Sequence, residues 1–278
     1  MLHYVSQKLQ IRVTLSEIFF FSTMKITRQQ IIEALGNELK NNSFVFAFWL
    51  EGADAHNRVD EYSDMDVWLD VQNGHEGMVI EQIQSILSKI APLDFEHEIK
   101  HPHPKIRQKF FHLKDTSEFL IIDVCVQSHS REFWYTKEHA DEKIKIIFEK
   151  EKVIKFRNLN KIEFQNFQKK RVAELKKTYS FFQAWVKKGV NRGNFLEALD
   201  YYHSFILEPL VELLRIRYEP TKREFGLKHI EHDLPKDILQ KLEDLYKVNS
   251  TFEISTQSQK ANELFFEVLK EVEKENII

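Results

Sequence analysis

A chain of 278 residues, 42% hydrophobic and 30% charged, has the composition of a soluble globular protein and room for one large or two ordinary domains. Its formal net charge of −3 offers no broad basic surface to phosphate backbones, which weighs against a polymerase or RNA-tailing enzyme and against nucleic acid as a partner. Phe is abundant at 23 residues while Gly and Pro number only 7 and 6, so long regular elements with few specialised turns are expected.

Residues 1–23 read as an upstream extension or tail. The run Ile18-Phe19-Phe20-Phe21 is too short for a signal-peptide core and has Glu17 beside it. No apolar run approaches the length of a membrane span. From Met24 the pattern becomes regular: Thr27 and Gln30 have the spacing of a capping box and open a helix through Leu39. An apolar strand, Phe44 to Leu50, runs into Glu51-Gly52-Ala53. Past a polar loop a second strand opens as Ser63-Asp64-Met65-Asp66-Val67-Trp68-Leu69. Ile80, Ile83, Ile86, Leu87 and Ile90 recur at helical spacing up to Pro92. Strands follow near Phe95 to Ile99, Ile106 to Leu113 and Glu118 to Gln127, the last two joined by Lys114-Asp115-Thr116-Ser117 as a hairpin turn. Ile144 to Phe148 and Val153 to Phe156 read as a further short pair around Lys150-Glu151-Lys152. Residues 24–159 are thus expected to form an α/β domain with a mixed sheet.

The remainder, 160–278, reads as an all-α helical bundle. Phe164 through Val186 support one long helix that stops near Gly189. Asn194 caps a second, which Pro209 should kink and Pro220 end. Pro235 starts another, and Leu264 to Val272 mark the last. The single Cys125 cannot form an internal disulfide and suits core filling. It fits a reducing, cytoplasmic setting.

The chemistry concentrates in the first domain. Alternate strand residues share a face, so Asp64 and Asp66 project side by side. Two carboxylates that close repel unless a cation sits between them. Mg²⁺ fits, since it takes oxygen ligands and completes its shell with water and phosphates. Asp123 interrupts the apolar strand Phe119 to Val126, where a buried carboxylate needs a cation or strong hydrogen bonds.

The order of strand, Gly turn, Asp64-x-Asp66 strand and acid-bearing strand resembles the nucleotidyltransferase superfamily. The text from Gly52 through Asn57-Arg58 to Tyr62-Ser63-Asp64 is most similar to the small bacterial enzymes that adenylylate aminoglycoside- and lincosamide-type antibiotics. One departure stands out: Ala53 occupies the place of the family's Ser, so a hydroxyl contact to phosphate is missing. The resemblance implies transfer of AMP from ATP to a hydroxyl of a small-molecule acceptor such as an antibiotic. It implies Asp64, Asp66 and Asp123 as catalytic and metal-binding residues, with Asp123 either a ligand or the general base. Gly52 and Ala53 would face the phosphates through their backbone N–H groups. Arg58 would steady a phosphate, and Ser63 serves either phosphate or its own turn. The helical half would bind the acceptor, with Glu197, Tyr201 and Glu208 as candidates on a stripe that continues to Glu212. Asp70 shares a face with Asp66 and is expected to meet solvent. His97, His101, His103 and His112, broken up by Pro102 and Pro104, lack a closed ligand spacing. Two alternatives stay open: a nucleotide-binding regulatory module with little catalysis, and an antitoxin-like enzyme that adenylylates a protein.

Overall fold

The structure, a computed structural model, describes residues 26–139 and 141–274. The extension expected at 1–23 lies outside the described residues. Two compact units divide the chain: residues up to 134 together with 143–155, and residues 135–142 together with those from 156 onward.

In the first unit, Thr27 opens helix α1 (Arg28–Lys40) with a complete capping box. The Gln30 N–H donates to Thr27 Oγ1 at 3.3 Å, and the Thr27 N–H donates to Gln30 Oε1 at 2.8 Å. Then come β1 (Val45–Leu50), the single-turn α2 (Gly52–His56), β2 (Met65–Val71), α3 (Glu76–Ile90), β3 (Leu93–Ile99), β4 (Ile106–Leu113), β5 (Ile122–Ser128) and β6 (Lys145–Glu149). The strands form one mixed sheet in the order β3-β4-β5-β2-β1-β6. Only β2 and β5 are parallel; every other neighbouring pair is antiparallel.

Period-two alternation sorts the sheet into two faces. Met65, Val67 and Leu69 from β2, with Ile122, Val124 and Val126 from β5, pack with Ile31 and Leu35 of α1 and Val79 and Ile83 of α3 into a core. The intervening positions carry Asp66, Trp68 and Asp70 on β2 and Asp123, Cys125 and Gln127 on β5. Part of this second face is covered by the segment that leaves β5. The His129 N–H donates to the Val71 carbonyl at 2.7 Å, and Phe133 stacks on Trp49 with centroids 5.9 Å apart.

Two strand expectations need correction. β5 begins at Ile122 rather than Glu118, because Leu120 and Ile121 donate their N–H groups back to Ser117 and Phe119 at 2.9 Å in a turn. The local pair between Ile144–Phe148 and Val153–Phe156 does not form. β6 instead joins β1, with Phe148 edge-on to Phe48 at 5.9 Å. A local hairpin would have left the apolar β1 with an open edge, an arrangement that sheets avoid. Phe156–Arg157 pairs in parallel with Tyr135–Thr136, inside the second unit.

Apart from that two-stranded pair, the second unit is helical. It comprises α4 (Lys161–Asn191), α5 (Phe195–Tyr202), a π-helical turn (His203–Leu207), α6 (Glu208–Tyr218), a 3₁₀ segment (Pro220–Phe225), α7 (Ile230–Asp233), α8 (Lys236–Tyr246) and α9 (Thr251–Lys274). Leu175, Tyr179, Leu210, Leu214, Phe265 and Leu269 belong to its core. Gly189 lets α4 and α5 meet closely, since a Cβ there would lie 2.9 Å from the Ala198 Cα. Pro209 falls at the second residue of α6, directly after the π turn, so the backbone disturbance is a local widening. Arg215 is fully buried and holds the chain beyond Pro220 through the Gly226 and Lys228 carbonyls and Asp233, all at 2.6–2.8 Å. No described helix is long and apolar enough to cross a membrane.

Candidate active site

The parallel pairing of β2 with β5 sets Asp66 opposite Asp123 in register. Since in-register parallel neighbours project to the same face, the two carboxylates stand side by side on the second face of the sheet, each half-buried. Asp64 is exposed one residue ahead of β2 instead of within it. The cause lies in Ser63, which is folded into the preceding turn. Its hydroxyl donates to Asp60 Oδ1 at 2.7 Å and accepts the Asp60 N–H at 3.0 Å. The Ser63 hydroxyl therefore serves its own loop here.

Gly52 closes the site from the β1 side. Its φ is +57°, in the left-handed region, and a Cβ there would fall 1.9 Å from Asp66 Oδ2. Only a glycine lets the backbone run this close to the carboxylate. The Glu51 N–H donates to the Asp66 carbonyl at 3.1 Å, tying the end of β1 to the start of β2. Ala53 follows in the first turn of α2, and Arg58 is exposed beyond it, its N–H donating to the Ala53 carbonyl at 3.1 Å.

Asp123 is held differently. The Gln108 side-chain amide donates to both of its carboxylate oxygens, at 2.9 and 2.8 Å. Burial raises the Asp123 pKa above the ordinary carboxylate range; Gln108 opposes that shift, and the charge of Asp64 adds to it. Two positions along β5, the Cys125 thiol is pushed strongly upward, first by burial and then by Asp123, Glu51 and Asp66. It is a buried free thiol, as its place in an apolar strand suggested.

Among the described residues, no group of three or more His, Cys, Asp or Glu side chains is arranged to hold a metal ion. What Asp66 and Asp123 provide is a pair of hard oxygen donors in register. Mg²⁺ commonly takes only one or two protein carboxylates and leaves its other positions to water and phosphate, so this donor set fits that ion.

Several supporting residues carried no sequence signal of their own. Arg28 reaches from α1 to Asp54 at 2.5 Å and to the Ser63 carbonyl at 2.5 Å, clamping both ends of the 52–64 loop. Gln108 could have been found only by its alternation with the apolar positions of β4. Asp70, expected in solvent, is fully buried instead. It accepts from Gln127 Nε2 at 2.7 Å and faces His129 Nδ1 at 2.7 Å, because the chain after β5 covers it. The four histidines are dispersed, with His112 held by Asp94 and the Ser117 carbonyl and His101 accepting the His103 N–H.

In the second unit, Glu197 on α5 accepts from Tyr201 Oη at 3.2 Å and from Asn194 at 2.9 Å. The Asn194 bond is the main reason its pKa is lowered. Tyr201 lies among Trp185 and Phe205, with centroids 5.6 and 5.7 Å away. Glu208 is exposed on α6, whereas Glu212 is taken up by Arg171 and Arg223.

No protein-family model and no curated protein matches the chain. Its structure is similar to that of an aminoglycoside 6-adenyltransferase from Bacillus subtilis: 13% identity, 90% of this chain and 91% of that one, TM-score 0.37. It is also similar to JHP933 from Helicobacter pylori, at 11% identity over 91% of this chain and 98% of that one, TM-score 0.27. Neither match carries an activity over to this chain.

Proposed function

We propose that the chain is a metal-dependent nucleotidyltransferase that moves AMP from ATP to a hydroxyl of a small-molecule acceptor. The observation that supports this reading best is the in-register pair Asp66–Asp123 with the Gly52 backbone packed against the Asp66 carboxylate. Two adjacent carboxylates beside a closely approaching turn make a compact place for a triphosphate and its cation. Asp66 and Asp64 would hold Mg²⁺, which when bound neutralises charge on the phosphates. The acceptor oxygen bonds to the α-phosphorus as the bond to the β-phosphate oxygen breaks and pyrophosphate leaves. Asp123 either takes the acceptor's proton or adds a carboxylate to the ion's shell, and only the first role leaves metal affinity intact in Asp123→Asn. The backbone N–H groups of Gly52 and Ala53 face the triphosphate, and Arg58 approaches it from the loop.

Glu197, Tyr201 and Glu208 are assigned to acceptor binding. The carboxylate of Glu197 beside the Tyr201–Trp185–Phe205 rings suits a cationic acceptor with a ring surface. The test is a screen of hydroxyl-bearing small molecules with ATP and Mg²⁺, reading pyrophosphate release, with Asp64→Asn and Asp66→Asn as controls. Activity confined to the wild-type chain is expected, with both variants inactive and normally folded by circular dichroism. Full activity in either variant would overturn the metal assignment. ATP binding without pyrophosphate release would point to a regulatory module, and label from ATP on a protein would move the acceptor to that class.

A further inference from the structure

The second face of the sheet carries another polar site, built largely on the chain that leaves β5. A cavity of about 190 Å³ in the first unit is lined by His129, Arg131, Phe133, Glu151, Lys152 and Lys155, among others. Three permanent cations thus face one carboxylate. Among the described residues, neither Lys152 nor Lys155 is paired with an acid; Lys155 lies 5.9 Å from the Trp134 ring centre.

The floor beneath Arg131 is built from buried groups. Gln127, fully buried, donates to the fully buried Asp70 at 2.7 Å and accepts from Arg131 Nη1 at 2.5 Å. The guanidinium also lies over the rings of Phe133 and Trp68, at 5.1 and 5.9 Å. This fixes the plane of the guanidinium, and a fixed fork is what recognises phosphate in two-point fashion. Arg131 Nε is nevertheless buried without a hydrogen-bond partner. With Nε closed off, contact with a ligand falls to the terminal nitrogens of the guanidinium and to the two lysines.

Size narrows the class. The cavity equals roughly six waters' share of liquid and is smaller than the 300 Å³ or so at which small-molecule pockets usually begin. It therefore suits a single phosphoryl group and not a whole nucleotide. Its cationic lining sets it apart chemically from the carboxylate pair of Asp66 and Asp123.

We propose that this cavity is a separate anion site that takes a phosphate dianion, either free or as the end of a small phosphomonoester. The inference does not depend on nucleotidyl transfer, and it is tested without nucleotide or acceptor. The full chain is titrated calorimetrically with inorganic phosphate and, separately, with glycerol 3-phosphate at constant ionic strength. Saturable binding is expected, weakened about tenfold by Lys152→Gln or Lys155→Gln, each at the scale of one hydrogen bond to a charged group. Both lysines are exposed, so the variants should melt like the wild type. Equal affinity for the two probes identifies a free-ion site, and preference for the ester identifies a carrier-bound phosphate. Absence of saturable binding with both probes would overturn the proposal. So would binding indifferent to the Lys152→Gln and Lys155→Gln substitutions together.

Discussion

Gly52→Ala is the sharpest perturbation this site offers. The new methyl would stand 1.9 Å from Asp66 Oδ2, whereas ordinary van der Waals contact begins near 3.4 Å, so the carboxylate must withdraw by about 1.5 Å. The backbone stays at φ +57°, which costs an L-residue about 1–2 kcal/mol. For a unit of this size that lowers the melting temperature by roughly 3–10 °C. The chemical effect should be larger. A misplacement of 1 Å costs on the order of a hundredfold in rate, so Gly52→Ala is expected to lose at least about that factor in pyrophosphate release. The two contributions separate in a double-mutant cycle read by thermal melting. In an Asp66→Ala background the obstructing atoms are gone, and Gly52→Ala should then cost the backbone contribution alone. A Gly52→Ala protein with wild-type melting and wild-type turnover would refute the close approach and the site built on it. Identical costs in the two backgrounds would show that the Asp66 side chain plays no part.

Three further outcomes follow from the same geometry. Ala53→Ser should tighten Mg·ATP binding by up to about 1.5–3 kcal/mol, the value of one hydrogen bond to a charged group, as measured by titration; unchanged affinity would mean that this turn does not meet the triphosphate. Arg28→Met should destabilise the protein by about 3–5 kcal/mol in denaturant melts, because it strands Asp54, whose side chain is only 4% exposed, and adding Asp54→Leu should recover most of the loss. A loss below about 1 kcal/mol would show that the pair does not clamp the loop. Burial raises the Asp70 pKa, so its contribution to stability is complete below the ordinary carboxylate pKa and declines as pH rises through the raised value. Asp70→Asn should therefore make the melting temperature respond more favourably to rising pH above the ordinary carboxylate pKa than it does in the wild type, with an unaltered slope counting against buried ionisation there.

Local chemistry was readable from the residues where the determinants are close in sequence. Thr27 and Gln30 announce their cap, and the alternation of Met65, Val67 and Leu69 with Asp66 announces both the strand and the face on which the acid sits. Asp123 stood out because a carboxylate is rare inside an apolar strand. Partner choice was not readable in the same way. β6 pairs with β1 across about a hundred residues of sequence, and a local hairpin looked equally good until the open edge of β1 is considered. Asp70 obeys the alternation that predicts a wet side chain, yet the chain after β5 covers it, a tertiary event that periodicity cannot carry. Gln108 and Arg28 matter through side-chain hydrogen bonds to distant residues, at which only the alternation along β4 hints, and that for Gln108 alone.

The strand order also sets a timetable for the chain as it emerges during synthesis. β1 and β2 come first and can pair at once, but that hairpin is the middle of the finished sheet, with both outer edges empty. β2 waits for β5 at residues 122–128, and β1 waits for β6 at 145–149. Until then a hairpin as apolar as Val45–Leu50 against Met65–Val71 offers two open templates to other chains. The Asp66–Asp123 pair cannot exist during this interval, since its second member arrives with β5. Competence of the site and protection from aggregation therefore depend on the same late strand additions, and a chain released before residue 149 would be denied full protection.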